Sequence, residues 1–317
     1  MKTTAWEKDA EDFFEKFLTC VTVILQPMWR KRLQEQCSCI AACRGAEKIS
    51  REIVLQAIED IIPHDLDPLV QMIEDPEGFK KEFSAMFEDP EAYNKVPIEI
   101  KRWDSPFHTS GVKPAVPPAE AVVIAFCASP RKGGNTDILI DRALEGAASV
   151  GAATKKYYIN DLKIGYCIGC RKCKEKTLPY TCTVKDDMTP LYDEIRRAHC
   201  VVIGFPVYTS RESAQLAVFL DRWDCFEGPG MKGTLPGGKR AMVIGTWGYP
   251  KVDMYDHHMQ RVIGTLKVHR IQTVEAVSAS GFEGLLHGLD EQKRGVVLKN
   301  SEGLQEVFDA GRFLVTG

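Results

Sequence analysis

The chain has 317 residues, a formal net charge of −3 and an apolar share of 44 %. That length suits two domains with a sizeable core. Mild acidity without a basic stripe interleaved with aromatics argues against nucleic acid as a partner. The polar, acidic start Met1–Asp9 is unlike a secretory signal. The early apolar run from Phe17 to Leu25 is broken by Thr and Cys and falls short of the roughly 20 residues of a membrane span. A cytoplasmic location is therefore expected. Eleven cysteines are many for such a chain, and in a reducing compartment they point to metal, cluster or thiol chemistry before disulfides.

Residues 1–103 read as a small helical domain. Phe13-Phe14-Phe17-Leu18 and Ile53-Val54-Ala57-Ile58-Ile61 show the three-and-four spacing of amphipathic helices, with Ser50 as a cap and Pro63 as a stop. Residues 104–119 carry prolines without periodicity and read as a linker. From 120 to 317 strands alternate with helices. The expected strands are Val122–Cys127, Thr154–Ile159, Cys200–Phe205, Arg240–Gly245 and Gln272–Val277; the expected helices are Asp137–Val150, Pro190–Ala198, Ala214–Asp221 and Tyr255–Leu266. Such alternation makes a parallel sheet covered on both faces, because each right-handed crossover needs a helix.

Between the first strand and first helix of this region lies Ala128-Ser129-Pro130-Arg131-Lys132-Gly133-Gly134-Asn135-Thr136. A turn rich in Gly, Ser and Thr at a helix start gathers backbone N–H groups, hydroxyls and two cations around one point, which suits a phosphate. The glycine order matches neither the dinucleotide nor the triphosphate loop. It fits a single terminal phosphomonoester, as in FMN. Two further loops follow later strands at their carboxyl ends, where a doubly wound sheet holds its ligand. They are Pro206-Val207-Tyr208-Thr209-Ser210 and Gly245-Thr246-Trp247-Gly248-Tyr249, each with small residues and an aromatic that suits a planar ring.

Residues 120 to about 290 resemble the NADPH-dependent FMN reductase family of flavodoxin-like proteins, and in particular its iron–sulfur flavoprotein branch. The resemblance is carried by Ser129-Pro130-Arg131 with Gly134-Asn135-Thr136, by Cys167-x2-Cys170-x2-Cys173 with Cys182, by Asp186-Asp187-Met188, by Gly204-x-Pro206-Val207-Tyr208 and by Asp221-Arg222. It implies non-covalent FMN, the strand order 2-1-3-4-5 and one- or two-electron chemistry, with electrons from NAD(P)H or ferredoxin. By that resemblance Ser129, Arg131, Lys132, Gly134, Asn135 and Thr136 hold the phosphate. Pro206, Val207, Tyr208, Thr209 and Ser210, with Thr246, Trp247 and Gly248, flank the isoalloxazine. The chain departs from the pattern at Ala128, where a glycine is common, and at Thr209, where an aromatic or glycine often stands.

Two consecutive x2 spacings let Cys167, Cys170 and Cys173 converge, and Cys182 completes a cubane site. Lys163, Arg171, Lys172, Lys174 and Lys176 nearby favour thiolates. A [4Fe–4S] cluster is the reading adopted; metal-free redox thiols and zinc are the alternatives. Cys37, Cys39 and Cys43 form no compact site and read as packing. Residues from Trp29 to Ile61 resemble the small helical domain of a light-independent protochlorophyllide reductase subunit, through Arg30-Lys31-Arg32-Leu33, Glu35 and Ile49-Ser50-x2-Ile53-Val54. That resemblance implies a docking or oligomerisation module. A homo-oligomer is expected.

Three other pairs invite a reading. Asp186-Asp187 caps the following helix. Asp221-Arg222 reads as a structural ion pair or subunit contact. His257-His258 reads as a solvated helix turn, with a proton donor or an NADPH phosphate contact as the sharper alternative. The expected function is an FMN-dependent oxidoreductase whose partner is ferredoxin or a small-molecule acceptor. An electron-transfer or docking flavoprotein, or a thiol or zinc sensor on the same scaffold, are the other readings.

Overall fold

The computed structural model describes residues 5–21, 23, 25–61, 66–81, 97–103, 112–175, 182–228, 233–248, 252–281 and 295–317. Pro63, Lys176, Tyr249 and residues 104–111 of the expected linker lie outside them. The chain divides into two compact units, Met1–Pro90 and Glu91–Gly317.

In the first unit, β1 (Ala5–Trp6), α1 (Lys8–Cys20), α2 (Gln26–Arg44), β2 (Lys48–Ile49), α3 (Arg51–Ile61) and α4 (Asp67–Glu74) follow in order. Helix α1 buries Ala10, Phe13, Phe14, Phe17 and Leu18, the stripe that its spacing predicts. That stripe meets Leu33, Cys37 and Ala41 of α2 and Ile53, Val54, Ala57 and Ile58 of α3 in one core. Each large apolar side chain buried there contributes about 1.5–3 kcal/mol. Helix α2 ends at Gly45, whose φ of 65° lets the chain turn into β2. Packing accounts for Cys37 alone, since Cys39 and Cys43 are exposed. At about 100° per residue they stand some 160° and 120° around the helix from Cys37, off the stripe that faces the core.

The second unit is built on a sheet whose strands are β3 (Glu99–Arg102), β4 (Val122–Cys127), β5 (Ala153–Tyr158), β6 (Cys200–Tyr208), β8 (Lys239–Trp247) and β9 (Ile271–Ser280), with β7 (Arg211–Glu212) pairing β6. The order is β3-β9-β8-β6-β4-β5, and all neighbours except β3 with β9 and β6 with β7 run parallel. Numbered by the parallel strands alone, that is 2-1-3-4-5, the flavodoxin-like order. The switch point lies between β4 and β6. Helices α5 (Asn135–Ala148) and α9 (Ser301–Thr316) cover one face; α6 (Met188–Arg197), α7 (Ala214–Asp221) and α8 (Asp256–Val268) cover the other. Alternation along the central strands serves both: Ile124 and Phe126 of β4 enter one core, and Val123, Ala125 and Cys127 the other.

Residues 99–103 were expected in the helical region, and the structure corrects this. Glu99–Arg102 pair antiparallel with Val277–Ser280 of β9, so the boundary between units falls at Pro90. Arg102 forms a fork with the buried Glu275, at 2.8 and 2.5 Å, and the Trp103 indole donates to Ser278 Oγ at 2.6 Å. Helix α9 packs tightly on α5. A Cβ on Gly311 would run into the Ala143 carbonyl, and one on Gly146 into the Phe308 carbonyl.

Candidate functional site

The carboxyl ends of β4, β6 and β8 bring the three expected loops together. The first, residues 128–136, turns through Gly133 at φ 70° and enters α5 behind the extended Gly134. The N–H groups of the first helical turn have no intrahelical acceptor and face the end of the helix with its partial positive charge. Asp137 at the third helical position reaches back to the Gly133 N–H at 2.7 Å, a fixed clasp on the loop. Its carboxylate is buried, and Lys156 at 2.7 Å and the Tyr158 hydroxyl at 3.1 Å compensate it. The acid therefore shapes the loop without opposing an anion.

Hydrogen bonds tie this loop to the other two. Ala128 N–H donates to Gly204 O of β6 at 2.8 Å, and Ser213 Oγ, which caps α7, donates to Ala128 O at 3.0 Å. The Thr136 and Thr246 hydroxyls meet at 2.7 Å, joining the start of α5 to the end of β8. Asn135 Oδ1 accepts from Val297 N–H at 3.2 Å, which leaves its amide hydrogens to point elsewhere. Ser129 Oγ accepts from Arg131 N–H at 3.2 Å, so its own hydroxyl proton stays available. The two cations differ. Lys132 is paired with Asp161 at 2.6 Å and lies over the Tyr158 ring, whereas the Arg131 guanidinium has no ion-pair partner among the described residues.

The second loop is a hairpin. Val207 pairs with Glu212 and Tyr208 with Arg211, leaving Thr209 and Ser210 as the two turn residues with φ of 50° and 55°. Two positive values are the signature of the primed turn that fits a tight hairpin. Neither residue is a glycine, and a β-branched Thr there stores strain of about 1–3 kcal/mol of the kind found at ligand sites. Tyr208 is exposed at the tip and Pro206 is buried at the base. In the third loop Thr246 and Trp247 are buried, and the indole meets Tyr255 edge-on with ring centres 5.6 Å apart. Tyr255 also reaches the hairpin, its hydroxyl 3.4 Å from Ser210 Oγ.

The cysteine segment leaves the same end of the sheet, after β5. Cys167, Cys170, Cys173 and Cys182 all line one pocket, with Arg222 and Cys225 behind them. Its base is closed by ionic bonds. The fully buried Arg222 guanidinium grips Asp186 at 2.5 and 3.2 Å and donates to Gly165 O at 2.7 Å and Val184 O at 3.1 Å. Asp186 also accepts from Gly165 N–H at 2.8 Å, and Asp187 from Lys163 N–H at 2.7 Å. Both arms of the segment are thus held a few residues from the thiols. Burial works against ionisation of Asp186, but the bonds from Arg222, Gly165 and Met188 prevail and hold its carboxyl below the usual range.

The thiols differ in character. A hydrogen bond with Thr183, helped by Lys172, lowers the Cys170 thiol, whereas burial and then Asp224 raise Cys173. The expected cationic surround is therefore uneven. Lys174 is turned to Asp224 and Glu227, at 3.0 and 3.4 Å. Among the described residues no three His, Cys, Asp or Glu side chains are drawn closely enough to grip one metal ion. Four cysteine thiols lining one pocket are a donor set that suits an iron–sulfur cluster and that zinc also accepts.

The family of NADPH-dependent FMN reductases matches residues 122–283, just over half of the chain. The chain belongs to this family. An iron-sulfur flavoprotein of Methanocaldococcus jannaschii is 36 % identical over 100 residues, covering 32 % of this chain and 50 % of that protein. One of Archaeoglobus fulgidus is 31 % identical over 140 residues, covering 44 % and 61 %, and one of Methanosarcina thermophila 32 % identical over 100 residues, covering 32 % and 51 %. The matched segment thus spans about half the length of these relatives. A solved NAD(P)H:quinone oxidoreductase of Methanothermobacter marburgensis has a TM-score of 0.43 at 14 % identity, over 62 % of this chain and 98 % of that one. The family match begins at Val122, so the protochlorophyllide reductase resemblance of residues 29–61 has no counterpart in it.

Within this FMN reductase family framework the structure revises several residue readings. Arg222 is the ion-pair residue expected, but its partner is Asp186 and not Asp221. Asp187 stands at the cap of α6 without a side-chain capping bond; Asp186 supplies one, accepting from Met188 N–H at 3.0 Å. His258 is not solvated: it is 5 % exposed, and burial lowers its pKa. The sequence reading missed Tyr255, Asp256 and Cys225. Burial, opposed by Lys101, lifts the Asp256 carboxyl to about 7. No motif announces these residues, since their roles come from packing across the sheet end. Among the described residues no helix is long and apolar enough to cross a membrane.

Proposed function

We propose that the chain is an FMN-dependent oxidoreductase with a second redox centre on its cysteine segment. The observation that supports this most is the joining of three loops at the switch point, with Arg131, which has no ion-pair partner among the described residues, and the start of α5 beside the Thr136–Thr246 pair. In this reading Arg131, the first-turn N–H groups, the Ser129 hydroxyl and the Asn135 amide hold the phosphate. Gly134 brings the backbone close, and Lys132 contributes a second, tethered charge. The hairpin 206–210 and residues 246–248 flank the ring. Bound flavin supplies exchange of one or two electrons with a donor and an acceptor. The Val207–Glu212 and Tyr208–Arg211 pairs hold the strained Thr209–Ser210 backbone in one conformation, and Tyr255 braces it through Ser210.

Cys167, Cys170, Cys173 and Cys182 would hold a [4Fe–4S] cluster, which supplies single-electron exchange. Arg222 and Asp186 keep the two arms of the segment together, and the exposed Lys163, Arg171, Lys172 and Lys185 offset its negative charge. NAD(P)H or ferredoxin is the electron donor in this reading. The test is a visible spectrum with iron and sulfide analysis of anaerobically prepared protein, followed by addition of NADPH. Flavin absorbance that bleaches on NADPH addition supports the reductase. Inertness to NADPH with reduction by ferredoxin moves the assignment to a carrier, and failure to retain FMN after reconstitution overturns it.

A further inference from the structure

We propose that Cys225 is a fifth, ligand-competent thiol of the cysteine pocket and replaces Cys182 when Cys182 is absent. The inference rests on the reading that this pocket holds an iron–sulfur cluster. A four-iron cubane takes four thiolates, and the pocket wall carries five sulfurs. They are not equivalent. Cys167 and Cys170 are exposed at the rim, whereas Cys173 and Cys182 are half-buried and pack against the same core that contains Cys225. Cys225 is 2 % exposed, so three of the five sulfurs share the floor.

The backbone around Cys225 is flanked by fully buried side chains. It lies in the turn Arg222–Phe226 that ends α7, between the fully buried Trp223 and Phe226. Its neighbours already hold the cysteine segment: Arg222 through Gly165 O and Val184 O, and Asp224 through Lys174 and a 3.8 Å contact from Cys173 Sγ. The turn that carries the fifth sulfur is therefore bonded to both arms of the cysteine segment and to Cys173. The remaining buried cysteines of this unit are used otherwise, since Cys127 and Cys200 direct their S–H groups to the carbonyls of Ser129 and Leu314. Cys225 instead shares a side-chain hydrogen bond with the Tyr192 hydroxyl, a partner it can give up without stranding a backbone carbonyl.

The exchange balances simply. One iron–sulfur bond to Cys182 is missing, one to Cys225 Sγ forms, and the Cys225 thiol proton leaves to water. One thiolate stands for another, so the charge of the centre is unchanged and no electron moves. Of the two other sulfurs on the floor, Cys173 is engaged by Asp224, and Cys182 is the stronger electrostatic neighbour of Cys225, so Cys182 is the one replaced. Cys167 at the rim is not covered, which supplies a positional control.

The experiment uses the full chain loaded with FMN and reconstituted anaerobically with ferrous iron and sulfide. Iron and acid-labile sulfide are counted per bound flavin, and the reduced centre is examined by electron paramagnetic resonance. Cys182→Ala is expected to keep more than half of the wild-type iron with an altered resonance. Cys182→Ala combined with Cys225→Ser should lose nearly all of it. Cys225→Ser alone should match the wild type, and Cys167→Ala should lose its iron. Retained flavin reports that each variant is folded. An iron-free Cys182→Ala variant beside an iron-containing wild type overturns this proposal alone. An iron-free wild type overturns the cluster reading and this proposal with it.

Discussion

Replacing Arg222 with Met tests whether the cysteine segment is held by one buried ion. The guanidinium is fully buried, the Asp186 side chain is 12 % exposed, and two carbonyls share the same donors. Removing one partner of a buried pair leaves the other charge uncompensated, which costs about 3–5 kcal/mol. That is a large part of the roughly 5–15 kcal/mol that holds a domain folded. Equilibrium urea unfolding at fixed FMN concentration, followed by tryptophan fluorescence, reads the loss directly. Adding Asp186→Asn to Arg222→Met removes the stranded charge and should recover about 1–3 kcal/mol. The wild type should show the same pair in its pH dependence. The folded-state pKa of Asp186 is depressed, so its stabilisation is present above the ordinary value of 3.8 and is lost as pH falls through the lower folded value. An Arg222→Met variant within about 1 kcal/mol of wild type, well below the loss of a buried partner, or a double variant no better than the single one, refutes the reasoning.

Three further outcomes are expected. Arg131→Ala should weaken FMN binding by roughly 10- to 100-fold, the value of a charge-assisted hydrogen bond, whereas Lys132→Ala should change it by less than about 3-fold because Asp161 already holds that charge; flavin fluorescence titration compares them. Asp256 has a folded pKa raised to about 7, so its contribution to stability is present at low pH and lost as pH rises from about 4 through about 7; Asp256→Asn should flatten that fall in thermal unfolding. Gly311→Ala should cost about 1–3 kcal/mol or more by forcing α9 off the Ala143 carbonyl, while Gly264→Ala, with open space around it in α8, should gain about 0.4–1 kcal/mol.

Particular residues show why some of this was readable and some was not. The apolar run Val122–Cys127 is bounded by turn residues on both sides, and the strand observed there has the same limits. Strand β3 was missed because Glu-Ile-Lys-Arg is short and charged at three of its four residues, and only pairing with β9 makes it extended. The helix α9 was missed too. Its Gly303 and Gly311 argue against a helix locally, yet Gly311 permits the close approach to α5, and Gly303 lies against Ile100. At the site, the loop residues follow from strand ends and are local in sequence. Arg222 reaches Asp186 across 36 residues, and Cys225 meets the other thiols only because α7 packs beneath the cysteine segment. No periodicity encodes such meetings.

The antiparallel seam between β3 and β9 has a consequence for anyone shortening this chain. A version beginning at the family boundary near Val122 would keep every parallel strand and all three loops. It would also strip the outer edge of β9 from Val277 to Ser280, leaving Glu275 buried without its arginine. A bare, apolar strand edge is a template for a second copy of itself. A shortened version that keeps this edge paired therefore starts before residue 99.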